Sequence, residues 1–201
     1  MEISELKDEL EKLHPASFGW ALSCCRRNPA EAEEVLQTVY LKILQGKAVF
    51  RNESKLQTWL FAVIRKTAIS ERRKHLLRTL KSIASQPSET VRPRVEAELE
   101  RSEMQQRFQR ALAQLPARQH ETLHLVFYQD LSLSEAAEVM SISLGSARRH
   151  YERGKKRLRE TLDREGIDYG VAWRRKENSG AVLWTVARRP NDRAAVQAAL
   201  E

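Results

Sequence analysis

The chain is poor in residues that interrupt helices: of its 201 residues only 7 are Gly and 6 are Pro. That scarcity excludes a turn-rich sandwich or barrel for most of its length and leaves helices as the default. Cysteine is scarcer still, with two residues, and these are adjacent, Cys24 and Cys25. Their spacing matches neither a zinc site nor a CxxC redox motif, so they are expected to be half-buried structural residues rather than a reactive pair. No apolar run approaches the ~20 residues that a membrane span needs. The first residues, MEISELKDELEKL, lack the basic and apolar parts of a signal peptide, so a cytoplasmic protein with no membrane insertion is expected. Common enzyme motifs are missing as well: there is no Gly-rich phosphate loop, no HExxH and no GxSxG. His120 and His124 stand four apart and can share a helix face, but no third ligand is spaced to complete a metal site. Neither a catalytic residue nor a metal or cofactor is expected.

What the chain does have is positive charge. Lys and Arg total 35 against 27 Asp and Glu, a net charge of +8, while 41% of residues are hydrophobic. It can therefore bury a core and still present a basic surface, which points to a polyanionic partner, nucleic acid before anionic membrane. The length suits two small domains.

Apolar residues recur with helical spacing almost throughout the first 162 residues, which predicts an all-α fold. NPAEAEEVLQTVYLKILQG, residues 28–46, is the clearest helix: Asn28 can cap, Pro29 suits the first helical position and Glu31 lies three residues after the cap. Ala32, Val35, Leu36, Val39, Tyr40, Ile43 and Leu44 follow as an apolar stripe, and Gly46 can close the helix in the left-handed conformation. A polar loop then leads to a second helix starting near Ser54, with Leu56, Trp59, Leu60, Val63 and Ile64 on one face and Trp59 and Phe61 expected in the core. Residues 82–94, SIASQPSETVRPR, carry no apolar stripe and read as a linker. Beyond it, one helix carries Phe108, Leu112 and Leu115 to a stop at Pro116, and another carries Leu123, Val126 and Phe127.

Ser132 with Glu135 forms a capping box for a short helix ending near Met140, and Ser143 can cap a long helix after a turn of about three residues. A short helix, a tight turn and a basic second helix make the helix-turn-helix pattern. SLGSARRHYERGKKRLR, residues 143–159, has seven Lys/Arg against one Glu. Ala147, Tyr151, Gly154, Leu158 and Leu162 form a stripe that can pack on the domain; the charges lie off it. Ser146, Arg148, Arg149, Glu152, Arg153 and Lys156 are the candidates for DNA contact: Arg149 and Arg153 by bidentate contacts to guanine, Arg148 and Ser146 on bases or phosphates, and Glu152 by accepting from cytosine. Lys155, Lys156, Arg157 and Arg159 fit phosphate contacts, and the small Gly145 and Ser146 allow close approach at the helix start. A second basic run, from Arg65 to Lys81, follows a loop holding Phe50, Arg51 and Asn52; it reads either as a solvated face or as a single-strand binding surface. After residue 162, two short alternating runs around Asn178, Ser179 and Gly180 predict a β-hairpin, followed by a short helix.

Two blocks in this order, AEEVLQTVYLKIL with LQTWLFAVIRKTAISERRK, and RALAQLPARQHETLHLVFYQDLSLSEAAEVMSISLGSARRHYERGKKRLRETL, resemble bacterial sigma factors of the extracytoplasmic-function (ECF) group. The resemblance covers roughly residues 10–162 and implies a sigma region 2 domain (1–81), a linker (82–103), a region 4 helix-turn-helix domain (104–163) and a C-terminal extension (164–201). It implies that Glu34, Gln37 and Lys42 bind core RNA polymerase, whose β′ clamp and β flap are the implied contact points. It further implies that Phe50, Arg51, Asn52, Arg65, Lys66, Arg72 and Arg73 engage the minus-10 promoter element, one of its bases flipped into the loop, while the residues of the final helix read the minus-35 element. Promoter DNA and an anti-sigma protein are the other implied partners. The family usually has Asn at Lys66, Asp at Ser70 and Arg at His120. A helix-turn-helix regulator that never joins polymerase is the alternative reading.

Overall fold

The computed structural model describes residues 3–83 and 110–164, and all regular structure among them is helical. The chain divides into two compact units. The first holds α1 (Ile3–Lys12), α2 (His14–Cys24), α3 (Pro29–Leu44) and α4 (Leu56–Ile83). Helices α2, α3 and α4 pack against one another in all three pairings, and α1 adds to α2. Their shared core is Trp20, Ala21, Val35, Leu36, Val39, Leu60, Phe61 and Ile64. Trp20 is its largest member, fully buried, and its Nε1–H donates to the carbonyl of Phe61 at 3.0 Å, so the indole brings no unsatisfied donor into the apolar interior.

The caps expected from sequence form. Asn28 Oδ1 accepts from the Glu31 amide at 3.3 Å and its Nδ2 donates to the Glu31 carboxylate at 2.9 Å. Gly46 takes φ +68° just past the end of α3. Most of the expected apolar stripe of α3 is buried: Ala32, Val35, Leu36, Val39 and Ile43 are core, whereas Tyr40 is half-buried and Leu44 is 60% exposed. Leu44 is rotated by roughly 100° from Ile43, enough to carry it off the packed face. The turn between α2 and α3 is tight, with Arg26 and Arg27 both left-handed (φ 53° and 65°) and the Arg27 amide reaching back to the Leu22 carbonyl at 2.8 Å.

Cys24 and Cys25 stand at this turn and line a cleft with Glu31, Glu34, Glu71 and Arg72. Cys25 is buried, and burial followed by the nearby Glu31 carboxylate pushes its thiol up to about 11. That environment is the opposite of the exposed, electropositive one that makes a cysteine reactive.

The second unit begins, within the described residues, with helical residues 110–113, followed by α5 (Ala117–Phe127), α6 (Leu133–Met140) and α7 (Leu144–Arg164). Leu112 and Leu115 are buried, and the chain turns at Pro116, whose carbonyl accepts from the amides of Gln119 and His120 at 2.8 and 3.0 Å. At α6 the capping box is complete: Ser132 Oγ accepts from the Glu135 amide at 3.2 Å, and the Glu135 carboxylate accepts from the Ser132 amide at 2.8 Å. Helices α5 and α7 pack against each other, and every member of the stripe predicted for α7 is buried: Ala147, Tyr151, Gly154, Leu158 and Leu162. Tyr151 meets Phe127 with ring centroids 5.9 Å apart. Gly154 marks the closest approach, since a Cβ there would lie 3.2 Å from Leu123 Cγ and Cδ1 and 3.3 Å from Gln119 Cβ. The linker from residue 84, Phe108 and the predicted C-terminal hairpin lie outside the described residues.

Two expectations follow. Gly154→Ala gains ~1 kcal/mol of helix propensity but forces extra volume against the buried Leu123, a cost of about 1–3 kcal/mol. Amide exchange across α5 and α7 in this variant should accelerate; unchanged or slower exchange would show that the helix spacing is not set at this contact. In a Cys24→Ser variant the remaining Cys25 should alkylate far more slowly at pH 8 than free cysteine. Because its folded-state value is raised, the buried thiol stabilises the fold below the ordinary thiol range. That contribution should fade as pH climbs from the ordinary range through about 11.

Candidate nucleic-acid interface

The strongest candidate surface is the solvent side of α7. A turn containing Ser141 (φ 53°) separates α6 from α7, and the Ile142 amide reaches back to the Ala137 carbonyl at 3.0 Å to close α6. Ser143 then caps α7: its Oγ accepts from the Ser146 amide at 3.2 Å and its hydroxyl contacts Ser146 Oγ at 3.0 Å. The cap fixes where the helix begins, and the buried stripe fixes its rotation. Together they turn Arg148, Arg149, Glu152, Arg153 and Lys156 outward, all of them exposed, with Ser146 half-buried beside them. Arg149 reaches Ser146 Oγ at 3.5 Å, a contact that holds both side chains at the helix start.

One residue of the phosphate-contacting set behaves differently. Lys155 lies 4.8 Å from the centroid of the Tyr151 ring and 3.2 Å from the Glu152 carboxylate, and its side chain is only 21% exposed. Its position on the edge of the packed stripe lets the ammonium fold back over an aromatic face instead of extending. Lys156, by contrast, is 81% exposed.

The first unit presents two more surfaces. The loop after α3 places Arg51 and Asn52 in solvent, Asn52 at φ 58°, while Phe50 is half-buried with its ring 5.3 Å from that of Trp59. Trp59 is thus a correction to the expected core: Phe61 is fully buried, but Trp59 is half-exposed and faces the loop. Along α4 the exposed cations are Lys66, Arg72, Arg73, Lys74 and Arg78, whereas Arg65 has only 7% of its surface in solvent. Lys74 pairs with Glu71 at 2.8 Å.

On α3, Glu34 and Gln37 are exposed as expected. Lys42 is not: it is half-buried and its Nζ donates to Thr67 Oγ1 on α4 at 3.1 Å. Its rotation about the helix axis puts it beside α4, not beside Glu34. The residues that do share the outward face are Leu41 and Leu44, 55% and 60% exposed. Positions 34, 37, 41 and 44 fall within roughly 80° of one another at 100° per residue. Sequence reasoning missed the two leucines because it assigned Leu44 to the core stripe; the 3, 4, 3 spacing from Glu34 was the available signal.

His120 and His124 lie on α5 with ring centroids 6.2 Å apart, and His124 stacks on Tyr128 at 5.2 Å. Among the described residues no group of three or more His, Cys, Asp or Glu is placed to hold a metal ion, and no helix is long and apolar enough to cross a membrane.

The chain itself has known relatives. Residues 10–79 match the family Sigma-70 region 2, and residues 111–160 match Sigma-70, region 4. The chain is 28% identical over 173 residues to the ECF RNA polymerase sigma factor EcfG of Rhodopseudomonas palustris, covering 82% of this chain and 90% of that protein. It is 27% identical over 176 residues to the ECF sigma factor SigX of Bacillus subtilis, covering 77% and 84%. Among solved structures it is similar to the sigma factor RpoE of Bartonella quintana, determined with the anti-sigma factor NepR, at a TM-score of 0.63 and 26% identity over 80% of this chain and 98% of that one. With both regions matched in order, and α7 and α3 presenting the outward faces described, the chain belongs to the ECF group of RNA polymerase sigma factors, non-catalytic subunits that direct transcription initiation.

Proposed function

We propose the following division of labour on this chain. The domain of residues 1–81 docks on the β′ clamp of core polymerase through the outward face of α3, with Glu34 and Gln37 as polar contacts and Leu41 and Leu44 as the apolar ones. Lys42 serves the domain's own packing. The loop holding Phe50, Arg51 and Asn52 receives an unstacked base of the minus-10 element, and the ring pair of Phe50 and Trp59 forms its wall. Lys66, Arg72 and Arg73 hold the backbone of the separated strand. The domain of residues 104–163 meets the β flap and reads the minus-35 duplex with Ser146, Arg148, Arg149, Glu152 and Arg153, with Lys156 on phosphate. Strand opening costs a few kcal/mol per unstacked base step, and the captured bases and backbone contacts offset that cost.

The observation that carries this reading is the two-sidedness of α7, in which one stripe is buried against α5 and Arg148, Arg149 and Arg153 all stand in solvent from the first turns onward. The likeness to a sigma factor solved with an anti-sigma protein supports a partner of that kind for this chain as well, and a cytoplasmic site of action follows from the same reading.

Run-off transcription with purified core polymerase and this chain should give promoter-dependent transcripts that neither component gives alone. Specific promoter binding by the isolated chain, with no transcript after core is added, would return the reading to a polymerase-independent regulator. Arg149→Ala should lose about 1–3 kcal/mol of base discrimination in the minus-35 element while core affinity stays intact; loss of core binding with unchanged base preference would overturn the assignment of the α7 face.

On α3, the pair Glu34→Ala with Leu41→Ala should weaken core association at least tenfold and leave minus-35 preference unaltered. Lys42→Ala should instead lower the thermal stability of the first domain. Tight core binding by the double variant would sink the proposed docking face.

A further inference from the structure

Leu144 is the first residue of α7, and it is 39% exposed on a helix end whose neighbours are polar or charged. The part of that side chain still in water contributes no burial to the fold. Gly145 follows it, also exposed, and a Cβ built there meets no heavy atom within 4 Å. Gly at an exposed helical position forgoes ~1 kcal/mol relative to Ala, and nothing inside the domain requires the missing side chain. At Gly154 the reason for glycine is internal, the wall of Leu123; at Gly145 the space is open on every side. The two neighbouring features have one common explanation in a partner that comes close to the backbone at Gly145 and offers an apolar group to Leu144.

Resting on the reading that α7 enters the major groove of the minus-35 duplex, we infer that Leu144 is a specificity-determining residue that recognises the C5-methyl group of a thymine, with Gly145 as the notch that lets the helix start sit close enough for that contact. The major groove displays one apolar group, the thymine methyl, and every other base feature there is a hydrogen-bond donor or acceptor. Leu144 can use only the former. Ser146 and Arg149, one turn on and in contact at 3.5 Å, supply the polar part of the same reading surface. The inference adds an apolar determinant to a surface otherwise described by its cations.

The test uses holoenzyme, reconstituted from core polymerase and the full chain, on its cognate promoter duplex with each minus-35 thymine replaced in turn by uracil. The exchange removes a single methyl group and no hydrogen bond. Wild type should lose about fourfold in affinity at one thymine, the equivalent of one buried methyl. Leu144→Ala should bind thymine and uracil equally at that position while keeping its discrimination at guanines. Gly145→Ala should melt at or above the wild-type temperature and yet bind the duplex at least tenfold more weakly. If no thymine is methyl-sensitive, if Leu144→Ala keeps the wild-type thymine-to-uracil ratio, or if Gly145→Ala binds as wild type does, the inference falls and the wider reading of α7 stands. If wild-type holoenzyme shows no minus-35 sequence preference at all, both fall.

Discussion

The constraint on which this protein depends is that each functional helix must be held by one side and used by the other. For α7 the held side is a single file of residues, Ala147, Tyr151, Gly154, Leu158 and Leu162, laid along α5. In the proposed role α7 cannot be clamped from both sides, because a groove in duplex DNA has to accept the rest of it. The absence of a side chain at Gly154 therefore carries unusual weight: it lets two helices approach over a narrow contact and secures the rotation of α7 with little surface spent. The bearing of every outward arginine follows from that rotation.

The same economy shapes the first unit. Its three principal helices share a core built around Trp20, whose indole proton goes to the carbonyl of Phe61 in the body of α4. A carbonyl has a second lone pair, so α4 accepts the bond without giving up its own ladder. The outer sides of α3 and α4 thereby stand in solvent, one mixed apolar and polar, the other cationic. Cys24 and Cys25 belong to the inner economy of this unit: burial pushes the Cys25 thiol up to about 11, further from the reactive thiolate.

Much of this was legible in sequence because helices advertise their caps and buried faces in local order. Asn28 with Glu31, Ser132 with Glu135, Ser143, and the stripe from Ala147 to Leu162 each depend on residues within a few positions of one another, and each formed as read. What local order does not hold is the choice a side chain makes between elements. Lys42 turns to Thr67 on another helix, 25 positions away, and Trp59 turns to Phe50 across a loop. Lys155 is a nearer miss: its charge suggested phosphate, but its position at the edge of the stripe put an aromatic face within reach. Leu41 and Leu44 escaped notice for a different reason, since leucine in a helix is read as core unless the rotation of each position is counted.

The length of α4 has a mechanical meaning. Its 28 residues extend about 42 Å at 1.5 Å per residue, and while Leu60, Phe61, Ile64 and Ala68 anchor one end in the domain, Arg72, Arg73 and Arg78 ride on the other. The helix acts as a keyed shaft: its anchored end sets the azimuth of the cations further along, Arg72 and Arg78 toward the cleft beside Cys24 and Cys25. Adding or deleting a single residue between Ala68 and Arg72 would turn those cations through roughly 100° with the hydrophobic core untouched. Along this stretch the spacing of residues is itself under constraint, as the pitch of a thread is, independently of what the residues are.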